Sequence, residues 1–313
     1  MDWIGQRNWG LRKTRKDPSS QMGLLTINCT DPMRGKDIMD DQRLKTAVIT
    51  DVTTEIGRDA AMLLAENGYR LMLCVPKGKN VRPEDRFQLE DRFQSKDRFG
   101  ERSCFCQTEE VDFADEAEVL RLFQSLTSVR VLFYNNLPEI LCRPVSQISH
   151  EEFGRLVEED ITSVVTTAKV FGSLMKNGSL IFLGSVHSDK PSAAAPLNSM
   201  YMGALKNMVR EGAVSFGTGG NRCNLIEVGA MGGEDRLYQN EISHFYDGYS
   251  FKIPNGHIPV SRDISQIVCF LAEDAAAVNG EAIRADSGLV LEYLDKLANA
   301  RAYERMSDEG CGG

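Results

Sequence analysis

The sequence lacks the features of membrane, secreted and metal-binding proteins. It has no run approaching the ~18 apolar residues that cross a bilayer, and its first thirty residues contain no apolar stretch typical of a secretory signal. Its eight cysteines are scattered, without a CxxC pair or a cysteine–histidine group with metal-ligand spacing. We therefore expect an intracellular protein, cytoplasmic or nuclear, with reduced thiols, no membrane span and no metal site.

Basic residues are outnumbered by acidic ones in the chain as a whole, 36 to 45. The formal net charge of −9 argues against nucleic-acid binding by the folded domain. The exception is the N-terminal stretch, where a basic run at 12–16 (RKTRK) follows the two tryptophans of the chain, Trp3 and Trp9. Aromatic side chains beside basic ones are typical binding anchors. We predict that residues 1–43 are a disordered tail in which Trp3 and Trp9 bind a protein partner. The alternatives are a tail without function and, for the basic run, a nuclear address.

What the sequence does contain is a regular alternation of apolar strands and helical segments. The first unit is a strand at 46–50, a helix at 56–66 and a strand at 70–75. A further strand is expected to end near residue 112, and later ones to cover 129–134, 180–183, 222–228 and 282–285. Helices are expected at 115–126, 151–175, 198–216 and 264–272. Seven strands alternating with helices predict one Rossmann-like α/β domain over residues 44–294, with a doubly wound parallel sheet and tails at 1–43 and 295–313.

The second crossover contains an unusual charged segment at 77–102. The triplet Asp-Arg-Phe occurs there three times, at 85–87, 91–93 and 97–99. Phenylalanines six positions apart do not share a helix face, so they are a poor core stripe. We expect a charged, partly exposed helical insert.

Short motifs within the domain follow one another in the order of a known family. Residues 50–57 (TDVTTEIG) stand in the place of a T-G-x-x-x-G-x-G loop, 135–138 (NNLP) in the place of N-N-A-G, and 286–288 (DSG) in the place of D-G-G. The chain therefore resembles the short-chain dehydrogenase/reductase family, which implies a fold that binds NAD(P). The resemblance marks the vestigial cofactor-binding positions as Thr50, Ile56, Gly57, Asp112, Asn135 and Gly229.

The cofactor loop departs from the family pattern at two of its three glycines. Asp51 and Glu55 replace them, and only Gly57 is kept. These glycines let the backbone approach the pyrophosphate at a helix N-terminus. A carboxylate about 5 Å from a phosphate would oppose binding by roughly 1–3 kcal/mol. We therefore expect no NAD(P) binding or weak binding; the alternative is a shifted loop that still admits the cofactor. After the second strand, only Lys77 favours NADP over NAD.

The catalytic set implied by the resemblance is also incomplete. Ser185, with Ser188 as a rival, and Tyr201 stand where the family has its serine and tyrosine, and Asp160 stands where it has an asparagine. The lysine expected four residues after the tyrosine is Leu205. Lys206 is next, but it lies about 100° around an α-helix from the required face. Only a π-bulge would bring it into line.

Two functions follow from these patterns. The leading hypothesis is a protein of this fold without hydride-transfer activity that acts as a binding or scaffolding subunit. Its partner would be a second copy, an active relative, or another protein bound through the tail, so we expect a homo- or hetero-oligomer. The alternative is a divergent NAD(P)-dependent oxidoreductase acting on a hydroxyl or carbonyl group of a small apolar substrate. Tyr201, Ser185 and Lys206 would then be catalytic, and residues 231–259 would cover the substrate.

Overall fold

The structure is a computed structural model, and it describes residues 45–79, 106–191, 195–232 and 253–291. Several predictions concern segments outside these residues. They are the N-terminal tail with Trp3 and Trp9, the C-terminal tail, nearly all of the charged insert at 77–102, and most of the segment at 231–259 that is expected to cover a substrate. Within the described ranges, no helix is long and apolar enough to cross a membrane. The same ranges contain no cluster of three or more histidine, cysteine or acidic side chains that could hold a metal.

Seven parallel strands form one sheet with the order β3-β2-β1-β4-β5-β6-β7. The strands are β1 (Thr46–Ile49), β2 (Arg70–Pro76), β3 (Cys106–Val111), β4 (Val129–Tyr134), β5 (Ser179–Ser185), β6 (Arg222–Val228) and β7 (Ala282–Ala285). The predicted doubly wound sheet is confirmed, and β4, β6 and β7 have the bounds expected from the sequence. Because the strands are parallel, the residues that follow their carboxyl ends gather at one edge, where α/β folds bind ligands.

Helices cover both faces of the sheet. They are α1 (Glu55–Glu66), α2 (Glu116–Gln124), α3 (His150–Arg155), α4 (Thr162–Leu174), α5 (Pro196–Ser215) and α6 (Ser261–Glu273). Short 3-10 turns lie at Val145–Gln147, Val186–Ser188, Gly217–Gly219 and Leu289–Leu291. One core joins α1 and α6 to the sheet, and the other joins α2, α4 and α5 to the opposite face. This is the three-layer arrangement that the alternation of strands and helices predicts.

The helix expected over 151–175 differs from the prediction. A π-helical turn, Leu156–Ile161, separates α3 from α4. Two hydroxyls support the wider turn: Thr162 donates to the carbonyl of Val157 at 2.8 Å, and Ser163 donates to that of Glu159 at 2.5 Å. By contrast, α5 is α-helical from end to end, so the π-bulge that would realign Lys206 is absent from it.

Candidate active site

The loop between β1 and α1 is built around the carboxylate of Asp51. This side chain is fully buried. Its Oδ1 accepts hydrogen bonds from the backbone N–H of Thr53 at 3.0 Å and from the Thr53 hydroxyl, and its Oδ2 is ion-paired with Lys79. A buried carboxylate is tolerated only when it is hydrogen-bonded and its charge is compensated. Asp51 has therefore replaced a glycine without disrupting the loop.

Gly57 is held in place by packing against the same loop. A Cβ on this residue would lie 2.0 Å from the carbonyl oxygen of Asp51 and 2.9 Å from Nδ2 of Asn135. Its N–H donates at 3.0 Å to the hydroxyl of Thr54, which caps α1. Ile56, the residue before it, buries its side chain in the core that α1 shares with α6. The surviving glycine thus has a structural role that does not depend on any ligand.

Asn135 ties the end of β4 to this loop. Its Oδ1 accepts from the Asp51 N–H at 2.9 Å and from the Thr50 hydroxyl at 3.2 Å. Its Nδ2 donates to the Asp51 carbonyl at 2.6 Å and to the Thr54 hydroxyl at 3.0 Å. The structure therefore brings together three of the residues singled out in the sequence: Thr50, Gly57 and Asn135.

The ends of β2 and β3 carry a second ion pair. Glu118, on α2, accepts from the Asp112 N–H at 2.9 Å with one carboxylate oxygen and pairs with Lys77 through the other. Its hydrogen bond raises the pKa of Lys77. The carboxylate of Asp112 accepts from the Ala114 N–H at 2.9 Å. Both lysines that follow β2 thus pair with carboxylates of the chain itself.

Gly229 lies apart from these residues, at the end of β6. A Cβ there would be 2.6 Å from the Cβ of Asp286, so the close approach of the two segments requires glycine. The Gly229 N–H faces the carbonyl of Ala285 at 3.4 Å. This contact joins the ends of β6 and β7 rather than reaching the loop after β1.

Tyr201 is buried on α5 beside two groups that the sequence analysis did not connect with it. Its hydroxyl and that of Tyr134 are both buried without a hydrogen bond of ordinary geometry. Burial, then Tyr134, then the charge of Asp160 raise the pKa of Tyr201 well above its usual value. Burial also raises the pKa of Asp160, to about 6. Two buried tyrosines therefore lie near a half-buried carboxyl.

Lys206 does not join this group. Its Nζ is ion-paired with Asp189 and, at 3.1 Å, with the buried carboxylate of Glu227 on β6. The Ser188 hydroxyl donates to the same Glu227, and Arg284 pairs with Asp189 at 3.2 Å. Lys206 is absent from the groups that shift the pKa of Tyr201. The structure thus places it in a separate ion-pair cluster on the β6 side of α5.

Ser185 and Leu205 occupy structural positions near the end of β5. The buried Ser185 hydroxyl accepts from the His187 N–H at 3.1 Å and so caps the 3-10 turn. The Leu205 side chain lies 3.4 Å from the position of a Cβ on Gly184. Neither side chain shows a polar contact to Tyr201 among the described residues.

Four contributors to the site were missed at the sequence level: Lys79, Glu118, Tyr134 and Glu227. Glu227 carried a signal, because an acidic residue inside an apolar strand needs a buried partner. Tyr134 carried a weaker one, as the last residue of a strand directly before Asn135. Nothing near Lys79 in the sequence indicates its pairing with Asp51.

The residues present fit a nicotinamide dinucleotide in part. In Rossmann folds the adenosine end lies beside β2 and β3, and the pyrophosphate lies at the N-terminus of the helix after β1. Asp112, which follows β3, suits the first region, while the Asp51 carboxylate lies in the second. Lys79 neutralises that carboxylate, so the loop carries a compensated charge rather than a bare one. When bound, the cofactor would supply or accept the hydride.

Comparison with known proteins agrees with the fold. A family profile described as "Enoyl-(Acyl carrier protein) reductase" matches residues 52–290. Glucose 1-dehydrogenase from Gluconobacter oxydans (strain 621H) is 27% identical over 79% of this chain and 92% of its own. The 7alpha-hydroxysteroid dehydrogenase of Clostridium sardiniense is 21% identical over 82% and 93%.

A solved structure shares the architecture. It is a short chain oxidoreductase from Pseudomonas aeruginosa PAO1, described as NADPH-bound and as containing an atypical catalytic center. It superposes with a TM-score of 0.67 and 19% identity, over 79% of this chain and 97% of that one. At this identity the match supports the fold alone.

Proposed function

Because this chain belongs to the short-chain dehydrogenase/reductase family, we propose that it is a divergent NAD(P)-dependent oxidoreductase. It would act on a hydroxyl or carbonyl group of a small, apolar molecule. The observation that carries the proposal is the buried pair Tyr201 and Tyr134, with the half-buried Asp160 near them, because it keeps the family's proton donor shielded from bulk water. The two relatives above are named as dehydrogenases, which supports an oxidoreductase function.

Within this proposal, the residues of the chain handle the proton. Tyr201 would donate to the substrate oxygen during carbonyl reduction, or accept from it during alcohol oxidation. Tyr134 would pass its own proton to Tyr201 and take one from Asp160, whose pKa of about 6 lets that carboxyl exchange a proton near neutral pH. Ser185 would act by shaping the turn after β5, and Lys206 by anchoring α5 to β6. The family's lysine, which would lower the pKa of the tyrosine, is replaced by Leu205, so the raised pKa of Tyr201 makes its hydroxyl a weak acid and keeps it protonated at pH 7.

A non-catalytic binding subunit is the second candidate, and two observations favour it. Asp51 lies where a pyrophosphate would bind, and Lys206 is held by Asp189 and Glu227 instead of facing Tyr201. Its partner would be a second copy, an active relative, or a protein bound by the segment with Trp3 and Trp9. The leading hypothesis drawn from the sequence is therefore kept here as the second candidate.

Titration of the purified protein with NADH and NADPH separates the two candidates. A dissociation constant below ~100 µM should raise the melting temperature by roughly 3–5 °C at millimolar cofactor. We expect a shift with at least one nucleotide. If neither one moves the melting curve, the oxidoreductase proposal is rejected and the binding subunit becomes the better description. ATP at equal concentration and ionic strength is the control for unspecific anion binding.

A further inference from the structure

We infer that Asp51 and Glu118 are internal competitors of nucleotide phosphate, each holding one of the two lysines that follow β2. Asp51, through Lys79, would set the affinity for NADH and NADPH alike. Glu118, through Lys77, would set the choice between them. The inference rests on the proposed cofactor use and assigns it two residues with separable effects.

Asp51 and Lys79 form the first pair. The carboxylate is fully buried, whereas the lysine side chain is 38% exposed. The ammonium can therefore be reached from solvent, while the carboxylate is fixed by Thr53 on its other oxygen. A pyrophosphate approaching the N-terminus of α1 meets one negative charge already in place and one lysine already paired. Since both nucleotides contain the pyrophosphate, this cost is common to them.

Glu118 and Lys77 form the second pair. Lys77 directly follows β2, the region where Rossmann folds distinguish a ribose 2′-hydroxyl from a 2′-phosphate. Glu118 is fixed by the Asp112 N–H, so its carboxylate is aimed at this region. Its hydrogen bond to Lys77 also raises the pKa of that lysine. Only NADPH carries the 2′-phosphate, so release of Lys77 should favour NADPH alone.

Two charge-removing variants distinguish the roles. Asp51→Asn keeps an oxygen that can accept from Thr53 but removes the charge. It should lower the dissociation constants of NADH and NADPH by about tenfold each. Glu118→Gln should tighten NADPH by about fivefold and leave NADH unchanged. The matched control is Glu116→Gln, because Glu116 lies on the same helix and pairs at 2.7 Å with Lys169, away from the loop. It should change neither affinity.

The experiment is calorimetric or fluorescence titration of the full chain and these variants with NADH and NADPH at one ionic strength. Equal affinities in all four proteins would overturn the inference, and so would a Glu118→Gln effect shared by both nucleotides. If Asp51→Asn does not fold, Lys79→Met replaces it. That variant leaves the Asp51 charge unpaired and should weaken the binding of both nucleotides; unchanged binding would contradict the inference for Asp51.

The two proposals fail in different ways. The affinity of the wild-type protein for NADH and NADPH tests the oxidoreductase proposal. The ratio of the dissociation constants of variant and wild type tests the inference on Asp51 and Glu118. Wild-type binding with no change in any variant rejects the carboxylate inference alone. Binding gained by a variant where the wild type has none supports the inference and counts against cofactor use in the natural protein. Absence of binding throughout rejects both.

Discussion

At the scale of single residues, Asp160 has the most testable electrostatics. It lies in the π-helical turn, and burial raises its pKa from 3.8 to about 6. A folded-state pKa above the unfolded value adds stability that is complete below about pH 4 and is lost as the pH rises through 6. Above that range the folded protein bears the cost of a partly desolvated charge.

Asp160→Asn should therefore stabilise the fold at pH 7.5 by roughly 1–2 kcal/mol, a figure discounted for partial exposure, and give no gain at pH 4. Urea unfolding at the two pH values measures the difference. Glu158→Gln is the control, since Glu158 is exposed in the same turn and does not shift the pKa of Asp160. A variant with the same advantage at both pH values would show that the effect is not titration of this carboxyl.

At the scale of an element, helix α5 explains why the family's lysine is missing. Tyr201 and Leu205 are both buried against the sheet side of the helix, and Lys206 turns toward β6. The position where the family has lysine has become part of the core. Replacing Leu205 by lysine would therefore not restore the family's catalytic site.

Leu205→Lys should destabilise the protein by about 3 kcal/mol or more, because the ammonium would be buried without a partner. Ala204→Lys, at the adjacent exposed position, should change stability by less than about 0.5 kcal/mol. Chemical denaturation of the three proteins gives the comparison. Wild-type stability in Leu205→Lys would mean that this position opens to solvent, contrary to the structure.

At the scale of the whole molecule, we expect two copies to associate through α4 and α5. On α5, Met200 and Val214 are 52% and 78% exposed, and fourteen positions place them within about 40° of each other around the helix. Exposed apolar side chains on one face are typical of interaction surfaces. The double variant Met200→Glu, Val214→Glu should convert a dimer into a monomer at micromolar concentration. Light scattering gives the mass.

The control for this prediction is Val145→Glu, which alters an equally exposed apolar side chain in the 3-10 turn before α3. It should leave the assembly unchanged. A wild-type protein that is monomeric at these concentrations would contradict the prediction directly. A dimer unaffected by the double variant would show that the interface does not include Met200 and Val214.

Much of the architecture could be predicted because it depends on local patterns. Strands β4, β6 and β7 are short apolar runs between turn signals, and the helices between them have apolar residues at helical spacing. Chain order and the handedness of crossovers then leave few sheet topologies. The π-helical turn was missed because its sequence differs little from that of an α-helix, and the hydroxyl bonds of Thr162 and Ser163 to its carbonyls are not visible in the residue pattern.

The doubly wound sheet, the family resemblance and the replacement of two glycines and a lysine can all be read from the order of residues along the chain. What those replacements do became visible only in the folded protein. It paired Asp51 with Lys79 and Glu118 with Lys77, buried Leu205 in the core, and set Tyr134 and Asp160 beside Tyr201. The physical reason is that secondary structure follows from neighbours along the chain. Charge compensation and burial at the carboxyl edge depend on residues that only the folded sheet brings together.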